Sequence, residues 1–195
     1  MEIYKTIILA IIAYFIGSIS FGYIITKRMT GKDIRNLRVK NAGAFNVFLN
    51  VGSLMGILVG LLDCFKTLLI VLVAQAWGLD TFHTVVAASF GIIGHCFPIY
   101  YNFYGGKGAG SVVGIFIYFI PIELLISIVP AALIAYIIHR LGTTPVFFIL
   151  FSPLIAFLFN KPDPVVYAIL YVTILTLILN LIIFISKRDR RVFTE

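Results

Sequence analysis

The stretch Gly94-His95-Cys96-Phe97-Pro98, followed by Gly105-Gly106-Lys107-Gly108, lies between two long apolar segments of the chain. A membrane protein usually has only a short polar turn at such a place. Glycines allow backbone N–H groups to converge on one point, because no Cβ blocks their approach. The positive charge of Lys107 adds to such a group of amides. The stretch predicts either a phosphate site at a membrane surface or a plain tight turn, and the residues alone leave both open.

Composition places this stretch in a membrane protein. Hydrophobic residues make up 61% of the 195 residues, charged residues only 12%, and the mean hydropathy is +1.08. So few polar side chains cannot cover a soluble surface. Since each span needs about 20 residues, the length predicts a single all-α polytopic membrane domain over 1–195. The first apolar segment ends in Lys27-Arg28, which favours a retained helix over a cleaved signal peptide.

Seven apolar segments are predicted as transmembrane helices. The fourth is too short to cross a bilayer unless it is tilted or buried among its neighbours. Pro121 separates it from the fifth. The segments cover residues 6–26, 52–77, 83–101, 110–120, 122–139, 144–160 and 165–186.

The basic residues predict the orientation. With the N-terminus outside and the C-terminus in the cytoplasm, 12 of the 15 Lys and Arg residues lie on the cytoplasmic side. They are Lys27, Arg28, Lys32, Arg35, Arg38, Lys40, Lys107, Arg140, Lys187, Arg188, Arg190 and Arg191. The glycine-rich stretch and the basic connection 27–40 then share one face. The accumulation of basic residues on the cytoplasmic side and the attraction of these residues to anionic lipids account for the net charge of +7. Nucleic-acid binding is not expected.

No cofactor or metal is expected, and nucleotide hydrolysis is disfavoured. A Walker A loop requires Gly, four residues, then Gly-Lys-Ser/Thr, whereas here Gly108 follows Lys107 and Tyr101 occupies the first position. The cysteines are predicted to be small packing residues. The histidines are scattered, without paired metal-ligand spacing. These residues are Cys64, Cys96, His83, His95 and His139.

Asp63 and Lys66 stand three residues apart in the second span, so they share one helix face. Ionisable groups at membrane depth are costly and are usually paired or turned toward a polar cavity. The spacing favours a mutually neutralising pair over a direct catalytic role.

Two further segments carry weaker signals. Asn41 and Asn46 surround Gly43 before the second span, which favours an amide-lined turn or a helix start. Small residues in the first span would allow close helix contact. They are Gly17, Ser18, Ser20 and Gly22.

In order, spacing and hydropathy, these motifs resemble the bacterial acyl-phosphate:glycerol-3-phosphate acyltransferase family (PlsY type). The matching segments are Gly17-Ser18-Ile19-Ser20-Phe21-Gly22, Asp33-Ile34-Arg35, Asn41 to Val47, Asp63 with Lys66, Gly94 to Pro98, and Gly105 to Gly108. The resemblance covers essentially the whole chain.

The resemblance implies a seven-span inner-membrane enzyme with a cytoplasmic active site. Members of this acyltransferase family transfer a fatty acyl group from acyl phosphate to the 1-position of glycerol 3-phosphate, giving lysophosphatidic acid. Lys107 and Thr143 are then the catalytic candidates, with Asp63, Lys66 and His95 supporting the site. The candidates for substrate phosphate binding are Gly105, Gly106, Gly108, Asn41, Asn46 and Lys40.

The first loop departs from the family pattern Gly-Ser-Gly-Asn-Pro-Gly-Ala-Thr-Asn. Val39 replaces its serine, Phe45 its threonine, and Leu49 an arginine a few residues later. None of these three side chains donates a hydrogen bond to phosphate. The family's C-terminal His-Arg-x-Asn pattern has no clean equivalent in residues 186–190. These departures favour one alternative to a divergent acyltransferase, a non-catalytic relative that binds acyl phosphate or lipid. A small transporter is a third alternative, disfavoured because the sequence lacks the interrupted half-helices in duplicated halves that transporters tend to show.

Overall fold

The fold is described from a computed structural model, which describes residues 2–186. Within these residues the chain is all helical and contains no β-strand. The α-helices are α1 (Glu2–Gly17), α2 (Phe21–Thr30), α3 (Ala44–Asn50), α4 (Ser53–Ala76), α5 (Thr81–Cys96), α6 (Ala109–Phe119), α7 (Pro121–Ile137), α8 (Thr144–Leu158) and α9 (Asp163–Ile185). Short 3-10 helices lie in three connections, at Ile34–Asn36, Ile99–Tyr101 and Leu141–Thr143.

The outer surface of the bundle suits a bilayer. In the described chain, four helical segments are long and apolar enough to cross a membrane: Glu2–Thr30, Ser53–Ala76, Thr81–Tyr101 and Asp163–Ile185. The apolar helices α6, α7 and α8 are shorter. Large apolar side chains such as Leu61, Leu125 and Leu154 are more than half exposed on these helices, as expected for a surface that contacts lipid. The prediction of an all-α polytopic membrane protein is confirmed.

The seven predicted segments coincide with helices, with differences in the third, where α5 ends at Cys96 and a 3-10 helix follows, and in the first. The continuous helix predicted over 6–26 is broken between Gly17 and Phe21. Lys66 Nζ donates to the carbonyls of Gly17 and Ile19, each at 3.0 Å. The break persists because this buried lysine satisfies carbonyls that a helix would otherwise pair internally.

Glycines allow the central helices to touch through their backbones. A Cβ on Gly94 of α5 would lie 2.3 Å from the Tyr14 carbonyl oxygen of α1. A Cβ on Gly17 of α1 would lie 2.3 Å from the carbonyl oxygen of Gly91 on α5. Likewise, a Cβ on Gly114 of α6 would lie 2.3 Å from the carbonyl oxygen of Cys64 on α4. The close contact predicted for the first span is confirmed.

Candidate active site

Two loops meet at the end of the bundle where α5 ends. We call residues 31–43 the first loop and residues 97–108 the second loop. The N–H of Ala42 donates to the carbonyl of Gly105 at 3.1 Å. The hydroxyl of Tyr104 donates to the carbonyl of Lys40. The two loops that the charge map placed on one face are therefore in direct contact.

Arg35 fastens the two loops together. Its Nη1 donates to the carbonyl of Tyr101 at 2.8 Å, and its Nη2 donates to Asp33 Oδ2 at 2.7 Å. The guanidinium also lies over the ring of Tyr23, 5.0 Å from its centroid, a favourable cation–π arrangement. Partial burial raises the pKa of Asp33, but the hydrogen bonds and charge of Arg35 hold it below the ordinary 3.8. The ion pair of Asp33 and Arg35 therefore stabilises the fold fully at pH values above the ordinary pKa of the carboxyl group. This contribution is lost as the pH falls through the lowered pKa.

Replacing Arg35 with lysine is expected to loosen this junction, because an ammonium cannot reproduce a guanidinium's hydrogen bonds to a carboxylate and a carbonyl at once. A charged hydrogen bond contributes about 1.5 kcal/mol or more. Amide hydrogen exchange over 36–43 and 98–106 should therefore quicken about tenfold. The control is Arg28→Lys on the exposed end of α2. Equal exchange rates in both variants would contradict the role of Arg35.

A cavity of about 190 Å³ opens between these loops and the helices α4, α6, α8 and α9. Its polar lining consists of Asn41, Asp63, His95, Lys107 and Asn180. Its apolar lining includes Val39, Ala44, Phe45, Pro145, Val146 and Ile149. A smaller cavity of about 10 Å³ lies beside it, with Asn41 and Lys107 lining both and Lys40 lining only the smaller one. The cavity thus combines a polar group of side chains with an apolar wall along α8 and the start of α3.

Gly105 and Gly106 have a different role from the predicted one. Their N–H groups donate to the carbonyls of Cys96 and His95, at 3.2 and 3.0 Å, and are occupied. A Cβ on Gly106 would lie 2.0 Å from His95 Nε2. The expectation of free amides at these two positions is wrong, and both glycines serve to let the second loop pack on His95.

Free amides are found one turn later, at the start of α6. Gly108 adopts a left-handed conformation with φ +86° and caps the helix, whose first bond runs from the Val112 N–H to the Gly108 carbonyl. The N–H groups of Ala109 and Gly110 precede that bond and have no acceptor within the helix. Both residues line the larger cavity. An anion there would meet backbone donors and the positive end of the helix dipole.

Asp63, Lys66 and His95 form a buried cluster beneath the loops. Lys66 Nζ lies 2.8 Å from Asp63 Oδ1 and 3.1 Å from His95 Nδ1. His95 Nδ1 lies 3.4 Å from the same carboxylate oxygen. The side chains of the pair are only 3–4% exposed. The predicted pairing of Asp63 with Lys66 is present in the structure.

Two of the remaining predicted site residues, Asn46 and Thr143, make contacts outside the two cavities. Asn46 is buried, and its Nδ2 donates to the carbonyls of Ile34 and Asn41, both at 2.8 Å. Its Oδ1 accepts from the Val39 N–H, so the amide holds the first loop. The hydroxyl of Thr143 donates to the Arg140 carbonyl at 2.7 Å. Neither Asn46 nor Thr143 is among the residues that line the two cavities.

Asn180 lines the site although no motif pointed to it. Its Nδ2 donates to the carbonyl of Lys107 at 3.0 Å and to that of Thr176 at 2.8 Å. The available signal was a lone asparagine inside the apolar helix α9, since polar groups at membrane depth usually face the bundle interior. The C-terminal segment 187–190 lies outside the described residues.

The departures from the family pattern shape the wall of the cavity. Val39 and Phe45 both line it. A Cβ on Gly142 would lie 2.8 Å from the ring of Phe45, so this ring closes the cavity against the connection before α8. Leu49 is not among the lining residues.

His83 lies beside two carboxylates, away from the cavity. At the opposite end of α5, ligand atoms of Glu2, Asp80 and His83 lie within 4.8 Å of one another. Asp80 caps α5 by accepting from the backbone N–H of His83 at 2.8 Å, and the ring Nδ1 of His83 lies 2.9 Å from the same Oδ1, so the helix cap explains the arrangement. This group lies far along the helix from the cavity described above.

The fold and cavity define an all-helical membrane protein with a polar site between two loops. The model of the glycerol-3-phosphate acyltransferase family matches residues 7–192, and the chain belongs to this family. It is 39% identical over 113 residues to "Glycerol-3-phosphate acyltransferase 1" of Dehalococcoides mccartyi, covering 57% of this chain and 54% of that relative. It is 37% identical over 112 residues to the enzyme of that family from Aquifex aeolicus, covering 57% and 58%. In these matches the chain spans little more than half of the relatives' length.

A solved structure shares the fold over nearly the whole chain. It is the glycerol 3-phosphate form of PlsY (YgiH), described as an integral membrane glycerol 3-phosphate acyltransferase. The likeness has a TM-score of 0.80 and 27% identity, and it covers 95% of this chain and 94% of the other.

Proposed function

We propose that this chain transfers a fatty acyl group from acyl phosphate to the 1-position of glycerol 3-phosphate, giving lysophosphatidic acid. The observation that carries the proposal is the shared cavity of Lys107 and the free N-terminal amides of α6. Membership of the glycerol-3-phosphate acyltransferase family supports the acceptor. The donor is supported by the resemblance of the motifs around this cavity.

Lys107 and the amides of Ala109 and Gly110 suit the phosphate of the donor. Acyl phosphate is an activated mixed anhydride, so the protein has to position both substrates and stabilise charge on the transferring centre. The second loop is rigid here, because its glycines pack on His95 and its carbonyls accept from Arg35. Donors held in place in this way cost no reorganisation during the reaction.

The apolar part of the cavity suits the acyl group. Pro145, Val146 and Ile149 line it from α8. An acyl chain that leaves the reactive carbonyl along α8 would remain among apolar side chains. Such an arrangement keeps the lipid tail near the bilayer and the phosphates at its surface.

The charge distribution supports a bacterial inner-membrane location with the site facing the cytoplasm. Lys32, Arg38 and Lys40 lie on the first loop, and Lys40 lines the smaller cavity together with Lys107. Basic residues accumulate on the cytoplasmic side of membrane proteins. They would also attract anionic substrates to the site. We treat 1–195 as one domain.

Purified protein incubated with palmitoyl phosphate and glycerol 3-phosphate is expected to form lysophosphatidic acid, detected by mass spectrometry. Omitting either substrate is the control for chemical background. No product with this pair or with other phosphorylated and hydroxylated acceptors would contradict the enzymatic function.

The apolar side chains at two positions where the family pattern is polar favour a second candidate, a non-catalytic relative that binds acyl phosphate or lipid. Val39 and Phe45 offer no hydrogen bond to an acceptor phosphate. The two candidates differ in a complementation test. Rescue of a bacterial strain that lacks its own acyltransferase by this chain would exclude the non-catalytic candidate, whereas tight acyl phosphate binding without rescue would support it.

A further inference from the structure

Phe45 forms an outer wall of the larger cavity. Its side chain lines the cavity and is 41% exposed, so the ring is not enclosed in the core. A Cβ on Gly142, another lining residue, would lie 2.8 Å from Cε1 of this ring and 3.2 Å from Cδ1. The ring is therefore packed against the connection between α7 and α8, and this contact closes the cavity on that side.

Water lies beyond this contact. The connection carries His139 and Arg140, and both are exposed. A guanidinium stays charged in proteins, and a charged group is far more stable in water or among lipid headgroups than in hydrocarbon. The ring of Phe45 thus separates the cavity from an aqueous surface. A threonine at this position, as in the family pattern, would lack the ring atoms that meet Gly142.

The cavity behind this wall is the place where a reactive acyl group would be held. Lys107, Ala109 and Gly110 line it and suit the phosphate of acyl phosphate. Because this donor is an activated mixed anhydride, water can take the place of the acceptor hydroxyl. The oxygen of water then bonds to the acyl carbon, the bond from that carbon to the phosphate oxygen breaks, and its electron pair leaves with the phosphate. One proton of the water passes to the phosphate, and the products are a fatty acid and inorganic phosphate.

We propose that Phe45 excludes water from this cavity and thereby favours acyl transfer to the acceptor over hydrolysis of acyl phosphate, a role that rests on the proposed acyltransferase function. Closing an active site against water protects reactive groups from such side reactions. A phenylalanine serves this purpose because its side chain offers water no hydrogen-bond partner. The replacement of a polar residue of the family pattern thus adds a barrier to water at this wall.

Phe45→Ala is expected to raise the ratio of fatty acid to lysophosphatidic acid about tenfold, which corresponds to a change of about 1.4 kcal/mol between the barriers of the two reactions. The protein is incubated with palmitoyl phosphate and glycerol 3-phosphate in water labelled with heavy oxygen, and both products are measured by mass spectrometry. Hydrolysis at the acyl carbon places the label in the fatty acid, and the rate in a sample without protein is subtracted. The ratio is taken within one preparation, so it does not depend on the amount of folded protein.

Phe48→Ala is the matched control. Phe48 lies on the same helix with 45% exposure and does not line the cavity, so the ratio should stay at the wild-type value. The double variant Phe45→Ala/Gly142→Val tests the barrier itself. A side chain on Gly142 would meet the ring of Phe45, and the backbone there is not left-handed, so valine can fill the space that alanine leaves. This double variant should bring the ratio back toward the wild-type value.

An unchanged ratio in Phe45→Ala overturns the proposal, and so does an equal rise in Phe48→Ala. A raised ratio that Gly142→Val does not lower overturns it as well, because the defect would then lie in the shape of α3 and not in the closure of the wall. Failure of the proposed function would appear separately, as wild-type protein that forms no lysophosphatidic acid.

Discussion

Replacing Lys107 with methionine is expected to lower kcat/KM for acyl transfer about 10²- to 10³-fold, the usual loss when one donor to a developing negative charge is removed. Lys107 supplies a positive charge in the same cavity as the free amides of α6. Methionine keeps a side chain of similar length, and the backbone contact from Asn180 to the Lys107 carbonyl remains. The measurement is the initial rate with palmitoyl phosphate and glycerol 3-phosphate.

Lys32→Met is the matched control for this prediction. Lys32 lies exposed on the first loop, and it does not line either cavity. The change removes the same charge from the same end of the molecule, so it reproduces any effect on long-range attraction of the substrates. We expect activity within about twofold of wild type, because exposed charges are screened by salt. Equal turnover by wild type and Lys107→Met would remove this lysine from the mechanism.

Replacing Gly94 with alanine is expected to have the largest effect on stability. The new Cβ would lie 2.3 Å from the Tyr14 carbonyl oxygen and 2.9 Å from the Ser18 nitrogen. Both are backbone atoms and cannot rotate away, so α1 and α5 must separate. Overpacking of this kind costs about 1–3 kcal/mol. The melting temperature in detergent should fall by several degrees, and the yield of folded protein should fall with it.

Gly60→Ala tests the specificity of that effect. Gly60 lies within α4, and a Cβ there would meet only the Cβ of Ala44 at 3.6 Å, an ordinary contact. Alanine is also the better helix former by about 1 kcal/mol. This variant should match or slightly exceed the wild-type melting temperature. A similar loss in both variants would show that Gly94 matters only as a glycine in a helix, and not as the contact point between α1 and α5.

The sequence by itself determined the class of protein and most of its helices. A span depends on the apolar character of consecutive residues, and this property is read locally. The pairing of Asp63 with Lys66 is local as well, because a separation of three residues places two side chains on one helix face. The motifs of the spans and loops together also sufficed for the family, which the match over residues 7–192 confirms.

The tertiary structure decided which groups face the cavity. The amides of Gly105 and Gly106 proved to be occupied by the carbonyls of Cys96 and His95, and the first span is broken where Lys66 meets it. Asn180 reaches the carbonyl of Lys107 across 73 positions of sequence. Such contacts depend on how distant helices cross. Hydrophobic periodicity indicates which face of a helix is apolar. It does not indicate which backbone atoms of another helix will contact that face.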